Sequence, residues 1–370
     1  MMKNRTLAIA VTLVLFINRA SAQLTTSPDG GNKKASVSEQ IGLTNITINY
    51  NRPGVKGREG RIWGQLIPVG FVNQGFGTSK SAPWRAGANE NTTIQFTTPV
   101  KIEGQSLPTG KYGFFVAYSA NECTLIFSKN SNSWGSFYYD PAEDALRVKV
   151  KPAVSDKSIE WLKYEFTDET PSAAVVRLEW EKTVIPFTID VDLVATQLES
   201  FRQELRTDKG FVWENWDQAA LYCARHKTNL EEALLWADTA TSESQPGFHE
   251  FEAWNTKAMV LDSLGHAKEA DEAMKRAVPF GDVVELYHYA RLLAKKKLFN
   301  DALEIYKLNN DKNPDDFIAN LGFARGYAGI GDRKKALYYA KRAQSQAEGE
   351  TNKNLMDKIV ISLNEGKDIN

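Results

Sequence analysis

The sequence contains few of the residues on which common catalytic and metal sites depend. Its 370 residues include four histidines and two cysteines, and every histidine lies after residue 225. The first 200 residues therefore cannot form a Ser–His–Asp triad, a Cys–His pair or a histidine-based zinc site from their own side chains. The HExxH, GxSxG, P-loop and CxxC motifs are also absent from the sequence. The composition predicts no cofactor and no metal site, and it indicates no particular reaction.

The chain also has almost equal numbers of positive and negative side chains. The formal net charge is −1 at pH 7, so the chain has no global electrostatic attraction for nucleic acid. The apolar content of 42% and the charged content of 25% are those of an ordinary soluble globular protein. We therefore expect no nucleic-acid partner.

The first 22 residues have the pattern of a secretory signal. Lys3 and Arg5 precede an apolar run over 7–17, and the small residues of 20–22 follow it. A basic start, a short apolar core and small residues at the end are typical of a signal peptide, here cleaved after Ala22. The alternative is a membrane anchor, for which the apolar run is short. The sequence predicts an exported protein, periplasmic or secreted, without a stable membrane span after cleavage.

The two cysteines, Cys123 and Cys223, lie in different halves of the chain. One follows a strand-like pattern and the other a helical pattern, and nothing in the sequence brings them together. We expect two buried thiols, with a disulfide as the alternative in an exported chain.

A flexible leader and then a β domain are predicted for the first half. Residues 23–37 are rich in Gly, Ser, Asn and Lys, which favours a flexible segment. From residue 38, apolar and polar residues alternate in short runs separated by turn residues such as Pro108-Thr109-Gly110. This pattern predicts an antiparallel β-sandwich over 38–194, with a barrel as the alternative. The predicted strands include 41–51, 92–100, 111–119, 123–128, 146–151, 159–167, 173–181 and 184–193.

The second half, 195–370, follows a helical period and repeats itself. The marker alanines Ala233, Ala270, Ala302 and Ala336 are 37, 32 and 34 residues apart. A period near 34 with small residues at fixed offsets is typical of stacked helix pairs. The final predicted helix, around 354–363, is polar enough to cap such an array.

The helical half resembles a tetratricopeptide-repeat array. The resemblance depends on Trp254, Ala258, Gly265, Ala270 and Ala277, and Pro314 closes the next repeat. It implies a groove, lined by the inner face of the first helix of each pair, that binds a protein or peptide partner. The groove candidates are Tyr222, Asn255, Met259, Tyr287, Arg291 and Arg325. The alternative is ordinary solvent exposure of these residues in a short array.

The β half resembles a secreted bacterial family known as domain of unknown function 2911. Motifs that support this include Arg52-Pro53, Gly87-Ala88-Asn89-Glu90, Trp134-Gly135-Ser136-Phe137 and Trp180-Glu181-Lys182. The resemblance covers about 38–192. It implies no established activity, because the family has none.

Five residues of the β half are candidates for a ligand site. Arg85, Asn89 and Glu90 place a guanidinium, an amide and a carboxylate on one loop, which suits a sugar, a peptide end or an anion. Trp134 and Tyr139 offer aromatic rings for stacking on a carbohydrate. The alternatives are internal pairing of the loop residues and burial of the rings in a sandwich core.

The sequence as a whole favours an exported, non-catalytic scaffold or binding protein. Its repeats would recruit a protein or peptide partner, and its β domain would hold a structural or ligand-binding role. One alternative is a carbohydrate- or anion-binding β domain. Another is a carboxylate-dependent glycan hydrolase that uses Glu90, Asp140 or Asp144 as acid and base.

Overall fold

The described part of the chain divides into two compact units, the first ending at Thr196 and the second covering 197–370. The structure, a computed structural model, describes residues 31–370. The predicted signal peptide and the first part of the predicted leader, 23–30, lie outside the described residues. Within the described part, no helix is both long enough and apolar enough to cross a membrane.

Among the described residues, the β unit has ten strands in two antiparallel sheets. The six-stranded sheet has the order β1-β2-β3-β6-β7-β8, and the four-stranded sheet has the order β5-β4-β10-β9. The strands are β1 Lys33–Ile41, β2 Thr44–Arg52, β3 Thr92–Phe96, β4 Val100–Ile102, β5 Gln105–Leu107, β6 Gly110–Ala117, β7 Cys123–Ser128, β8 Asp144–Val150, β9 Ala153–Thr167 and β10 Ala173–Asp190.

Apolar side chains from both sheets form one core. On β2 the even-numbered residues Ile46 and Ile48 are fully buried, while Asn45 and Asn49 point to the opposite, outer face. Large rings from both sheets, including Phe114 and Trp180, are at most 1% exposed within the same cluster. The predicted antiparallel β-sandwich is confirmed.

Two predicted boundaries in this unit are wrong. Residues 33–37, assigned to the flexible leader, begin β1, which pairs with β2 from Lys33 opposite Arg52. Its polar composition suits an exposed edge strand and hides the strand pattern. In place of the predicted strands 173–181 and 184–193 there is the single strand β10, which ends at Asp190 and continues through irregular pairing at Glu179, Glu181 and Thr183.

The helical unit consists of four helix hairpins flanked by single helices. The hairpins are α2–α3, α4–α5, α6–α7 and α8–α9, each with a three-residue connection. The helices are α1 Leu193–Glu204, α2 Trp213–His226, α3 Leu230–Ala240, α4 Phe251–Ser263, α5 Ala267–Ala277, α6 Val283–Lys295, α7 Phe299–Lys312, α8 Phe317–Gly329, α9 Arg333–Gln346 and α10 Gly349–Asn364. The predicted helical repeat array is confirmed.

Small residues allow the helices of each hairpin to approach closely. The marker alanines Ala233, Ala270, Ala302 and Ala336 are all at most 7% exposed. The hairpin connections also repeat, since Gly265, Lys297 and Gly331 occupy the same turn position with φ of 83°, 63° and 85°. Glycine suits this left-handed conformation, and Lys297 adopts it in spite of its side chain.

Both cysteines are buried free thiols. Cys123 lies in β7 of the β unit, and Cys223 lies in α2 of the helical unit. Burial raises the pKa of each thiol, to about 11 for Cys223. Both therefore stay protonated near neutral pH, as expected for thiols that contribute to packing.

Candidate functional site

A basic cleft lies on α6, at the place where the repeat resemblance locates the groove. Its volume is about 690 Å³, and its walls include Arg291, Lys295 and Lys297. All three side chains are exposed. Asp368 and Asn370 from the end of the chain also line the cleft. Of the six predicted groove residues, Arg291 lines this cleft.

The chain's own last residues, 366–370, cover the neighbouring position on α8. Arg325 donates from Nη1 to the backbone carbonyl of Ile369, and the Asn370 amide donates to the carbonyl of Arg325 at 3.3 Å. Arg333 donates to the carbonyl of Gly366 at 3.1 Å. We call 366–370 the C-terminal tail. Arginine side chains thus hold the tail by its backbone.

The tail also inserts an apolar side chain. Ile369 is 9% exposed and belongs to the same apolar cluster as Leu321 and Ala324 of α8 and Met356 of α10. Arg325 is itself 9% exposed. Its prediction as an open groove residue therefore needs correction, because the tail covers it. The polar sequence of the tail gave no sign that it folds back.

The remaining groove candidates have different surroundings. Asn255 is half-buried, and its amide lies 4.0 Å from the sulfur of Met259, which is 37% exposed. Tyr287 is half-buried with its ring centroid 6.0 Å from that of Tyr306.

Tyr222 occupies the position on α2 that was predicted to line the groove. Its ring packs against Phe201 of α1 and stacks on His226. The six predicted residues therefore do not form one uniform open surface, and the open part centres on Arg291.

In the β unit, Arg85 and Asn89 stabilise their own loop. Arg85 donates to the carbonyl of Asn89 at 2.7 Å and lies over the ring of Phe137 at 5.1 Å. Asn89 has a left-handed backbone with φ of 56°, and its side chain accepts from Asn32. These contacts are the internal pairing that the sequence left open as the alternative.

Glu90 lines a second cavity, on the outer face of the six-stranded sheet. Its carboxylate accepts from the Asn51 amide at 2.8 Å and pairs with Lys34 at 2.9 Å. The hydrogen bond from Lys34 is the main cause that lowers the pKa of Glu90. A lowered pKa is the opposite of what a general acid needs at neutral pH.

The cavity beside Glu90 has a volume of about 340 Å³ and polar walls. We call it the amide pocket, defined by Lys34, Asn51, Glu90, Asn91, Thr93 and Lys111. Asn51 and Asn91 are 4% and 7% exposed, and their Oδ1 atoms have no hydrogen-bond partner among the described residues. Sequence analysis missed both asparagines. The sequence gave little indication that they line a pocket, because polar residues are common on the outer face of a strand.

The two aromatic candidates, Trp134 and Tyr139, differ in exposure in the structure. Trp134 is 56% exposed, and it lies on the loop whose residues 131–133 form a wall of the amide pocket. Tyr139 is 6% exposed and packs with Phe115 and Ile126. The prediction of Tyr139 as an open stacking platform therefore needs correction, because the residue is almost fully buried.

Tyr139 and the carboxylates near it have hydrogen-bond partners within the protein. The Tyr139 hydroxyl donates to Asp144 at 2.7 Å, and Arg147 donates to both of them. Burial, followed by the hydrogen bond to Asp144, raises the pKa of Tyr139. Asp140 accepts from the backbone N–H of Ala142 at the start of a short 3₁₀ helix. These carboxylates have structural partners, and neither lines the cavity that contains Glu90.

The fold and its sites define a two-unit protein, with a β-sandwich before an array of helix hairpins. Residues 32–189 match the model of a family described as "Protein of unknown function (DUF2911)". This match confirms the resemblance seen in the β half of the sequence. No curated protein matches the chain.

Several solved structures are similar to part of this chain. YrrB, described as a TPR protein with an unusual peptide-binding site, shows 20% identity and a TM-score of 0.32, with 46% of this chain and 86% of that chain covered. MamA 41-end from Desulfovibrio magneticus RS-1 shows 16% identity and a TM-score of 0.29, with 42% and 90% covered. A crystal structure of MamA shows 15% identity and a TM-score of 0.32, with 45% and 92% covered.

Proposed function

We propose that this protein is an exported scaffold whose helical unit binds an extended, acidic segment of a protein partner. The observation that carries the proposal is the tail on α8. There, a segment without helix or strand is held by arginine hydrogen bonds to its backbone carbonyls and by one apolar side chain in an apolar cluster. A buried anchor side chain and backbone hydrogen bonds are features that peptide-recognition sites use in general.

The charge of the neighbouring cleft supports an acidic partner. Three cations line the cleft, on Arg291, Lys295 and Lys297. Among the described residues that line it, Asp368 has the single acidic side chain. Carboxylates of a bound segment would replace water around these cations and form charge-assisted hydrogen bonds. The exposed side chain of Leu292 on the same wall offers an apolar contact for the segment.

We expect the double variant Arg291→Ala, Lys295→Ala to weaken peptide binding about tenfold or more, because it removes two charge-assisted contacts. The probe is a fluorescein-labelled octapeptide in which Asp and Glu alternate with Leu, titrated into the full chain by fluorescence anisotropy. Lys268→Ala, Lys275→Ala is the matched control, since both lysines are exposed on α5 outside the cleft.

Equal affinity of the two double variants for the probe would contradict the groove assignment. A probe with Lys in place of Asp and Glu is expected to bind no more than weakly. Binding of the acidic probe is also expected to weaken with added salt, because exposed charges at the cleft are screened.

Export is the second part of the proposal. It is supported by the basic start, apolar run and small residues of 1–22. The intact mass of the protein recovered from outside the cytoplasm tests it. A chain that begins at Gln23 is expected, and a full-length chain retained in the cytoplasm would contradict export.

The glycan hydrolase alternative receives less support from the geometry. Glu90 forms an ion pair with Lys34, Asp140 caps a turn, and Asp144 accepts from Tyr139 and Arg147. A hydrolase needs two carboxylates on either side of one bond, with a raised pKa on the acid. The lowered pKa of Glu90 opposes that role.

A further inference from the structure

We propose that the amide pocket of the β unit binds an uncharged, hydroxyl-rich ligand, namely a single sugar residue, free or at the end of a glycan. This site is separate from the peptide cleft and does not depend on it. The argument uses the buried acceptors of the pocket, its charge balance, its preformed shape and the exposed ring beside it.

The first argument is the pair of buried amide oxygens. Asn51 donates through Nδ2 to Glu90, and Asn91 donates through Nδ2 to the carbonyl of Asn130 at 3.3 Å. Each amide is thereby oriented with its oxygen unpaired, although both side chains are more than nine-tenths buried. Both Oδ1 atoms are themselves buried, so a ligand donor reaches each of them only after a small movement of the amide toward the cavity. Pairing then recovers the free energy that an unpaired buried acceptor costs.

The charges of the pocket select the kind of donor. The carboxylate of Glu90 is already paired with Lys34, and Lys111 adds a further cation to the lining. An ammonium group would meet a lining with a surplus of positive charge. A hydroxyl group donates to the amide oxygens without adding charge, and its oxygen accepts from the lysines.

The shape of the pocket is fixed by close approach of a loop to the sheet. A Cβ on Gly113 of β6 would lie 2.3 Å from the carbonyl oxygen of Asn130, so only glycine allows the loop this close. The backbone N–H of Asn91 also donates to the carbonyl of Ser133 at 3.1 Å. The wall formed by 131–133 is therefore present before a ligand arrives, which reduces the entropy cost of binding.

An exposed aromatic residue follows directly on this wall. Trp134 comes after the lining residue Ser133 and is 56% exposed. The C–H face of a sugar ring is apolar, while its edges carry hydroxyl groups. An exposed indole one residue after the pocket wall offers a sugar apolar contact area without a competing charge.

The test is binding of D-glucose, D-galactose, D-mannose and N-acetyl-D-glucosamine to the full chain, by saturation-transfer NMR and calorimetry. At least one sugar is expected to bind saturably. Asn91→Leu and Thr93→Val are each expected to weaken that binding about tenfold, because each removes a polar partner. Thr93 lines the pocket and is 5% exposed. Asn45→Leu is the matched control, since Asn45 lies exposed on the same outer face of β2, away from the pocket.

Thermal unfolding of each variant accompanies the binding measurement. Asn91→Leu is expected to keep the wild-type melting temperature, because it removes an unpaired acceptor together with one long hydrogen bond. If the Asn91→Leu variant fails to fold, sugar binding by the Thr93→Val variant tests the proposal. The proposal is overturned if none of the sugars binds at tens of millimolar, or if the pocket variants bind as Asn45→Leu does. Binding of inorganic phosphate in place of sugar, displaced by no sugar, would also overturn it.

Discussion

Replacing Asp217 by asparagine is expected to stabilise the helical unit at neutral pH and to leave it unchanged in acid. Asp217 lies on α2 and is 4% exposed. Its Oδ1 atom has no hydrogen-bond partner within the described part of the chain. Burial is the main cause that raises the pKa of this carboxyl to about 6. The protein therefore keeps an unfavourable buried charge at neutral pH.

Several groups around Asp217 modify this effect. The hydrogen bond with Thr256 of α4 and the charge of Arg225 lower the pKa, while the charges of Glu252 and Glu214 raise it. Desolvation outweighs the favourable partners, because the resulting pKa lies above the ordinary aspartate value of 3.8. A neutral amide of the same shape removes the buried charge and keeps a polar group beside Thr256.

The sign of the pH dependence follows from the raised pKa. The folded state binds the proton more tightly than the unfolded state, so the stabilisation is fully present below about pH 4 and is lost as the pH rises through about 6. The rise of the Asp217 pKa from 3.8 to about 6 corresponds to about 3 kcal/mol of unfolding free energy between these limits. Asp217→Asn is expected to lose this dependence.

Urea unfolding of the full chain, followed by circular dichroism at the helical band, measures the effect at several pH values. The comparison is the difference between variant and wild type, because other groups titrate in both. Asp262→Asn is the control, since Asp262 is exposed on α4 and is expected to behave as wild type. Parallel pH profiles for Asp217→Asn and wild type would refute the assignment.

A chain that ends at Glu365 is expected to be less stable and yet to bind acidic peptide more tightly than the full chain. Removal of the tail takes away the side chain of Ile369, which is 9% exposed. Loss of that apolar contact costs about 2 kcal/mol at the C-terminal end of the array. It also removes the carbonyl that accepts from the buried guanidinium of Arg325.

The gain in peptide affinity has a separate cause. In the full chain the tail occupies α8 and forms one wall of the cleft on α6. A tethered segment acts as a competitor at an effective concentration on the order of millimolar. Its removal is expected to tighten binding of the acidic octapeptide about tenfold. Ile369→Asn should show both effects in part, and Lys367→Ala, which changes an exposed tail residue, should show neither.

Much of the fold could be predicted because it depends on local pattern. The marker alanines and Gly265 show the helical repeat, since small residues are required wherever helices approach. The alternation of apolar and polar residues along the strands predicts the β-sandwich. The edge strand β1 was missed because exposed edges tolerate polar residues on both faces, so residues 33–37 resemble a leader.

The candidate sites depended more on contacts between distant residues. Arg291 lines a cleft on α6, and its role as a partner-groove residue stays a prediction that its position within the repeat suggested. The covering of Arg325 depends on the last five residues, and no periodicity predicts where a short polar tail returns. Asn51 and Asn91 meet only through strand pairing and a loop far along the chain. Such neighbours cannot be read from spacing.

The claim that the helical unit holds an extended peptide by its backbone is tested most directly by returning the tail as a separate molecule. A ¹⁵N-labelled chain ending at Glu365 is titrated with the synthetic peptide Gly-Lys-Asp-Ile-Asn. Saturable chemical-shift changes on α8 are expected, with weak affinity because the tether is gone. Arg325→Ala in the same shortened chain should abolish them. Unchanged spectra, or equal binding by the Arg325→Ala variant, would contradict the account.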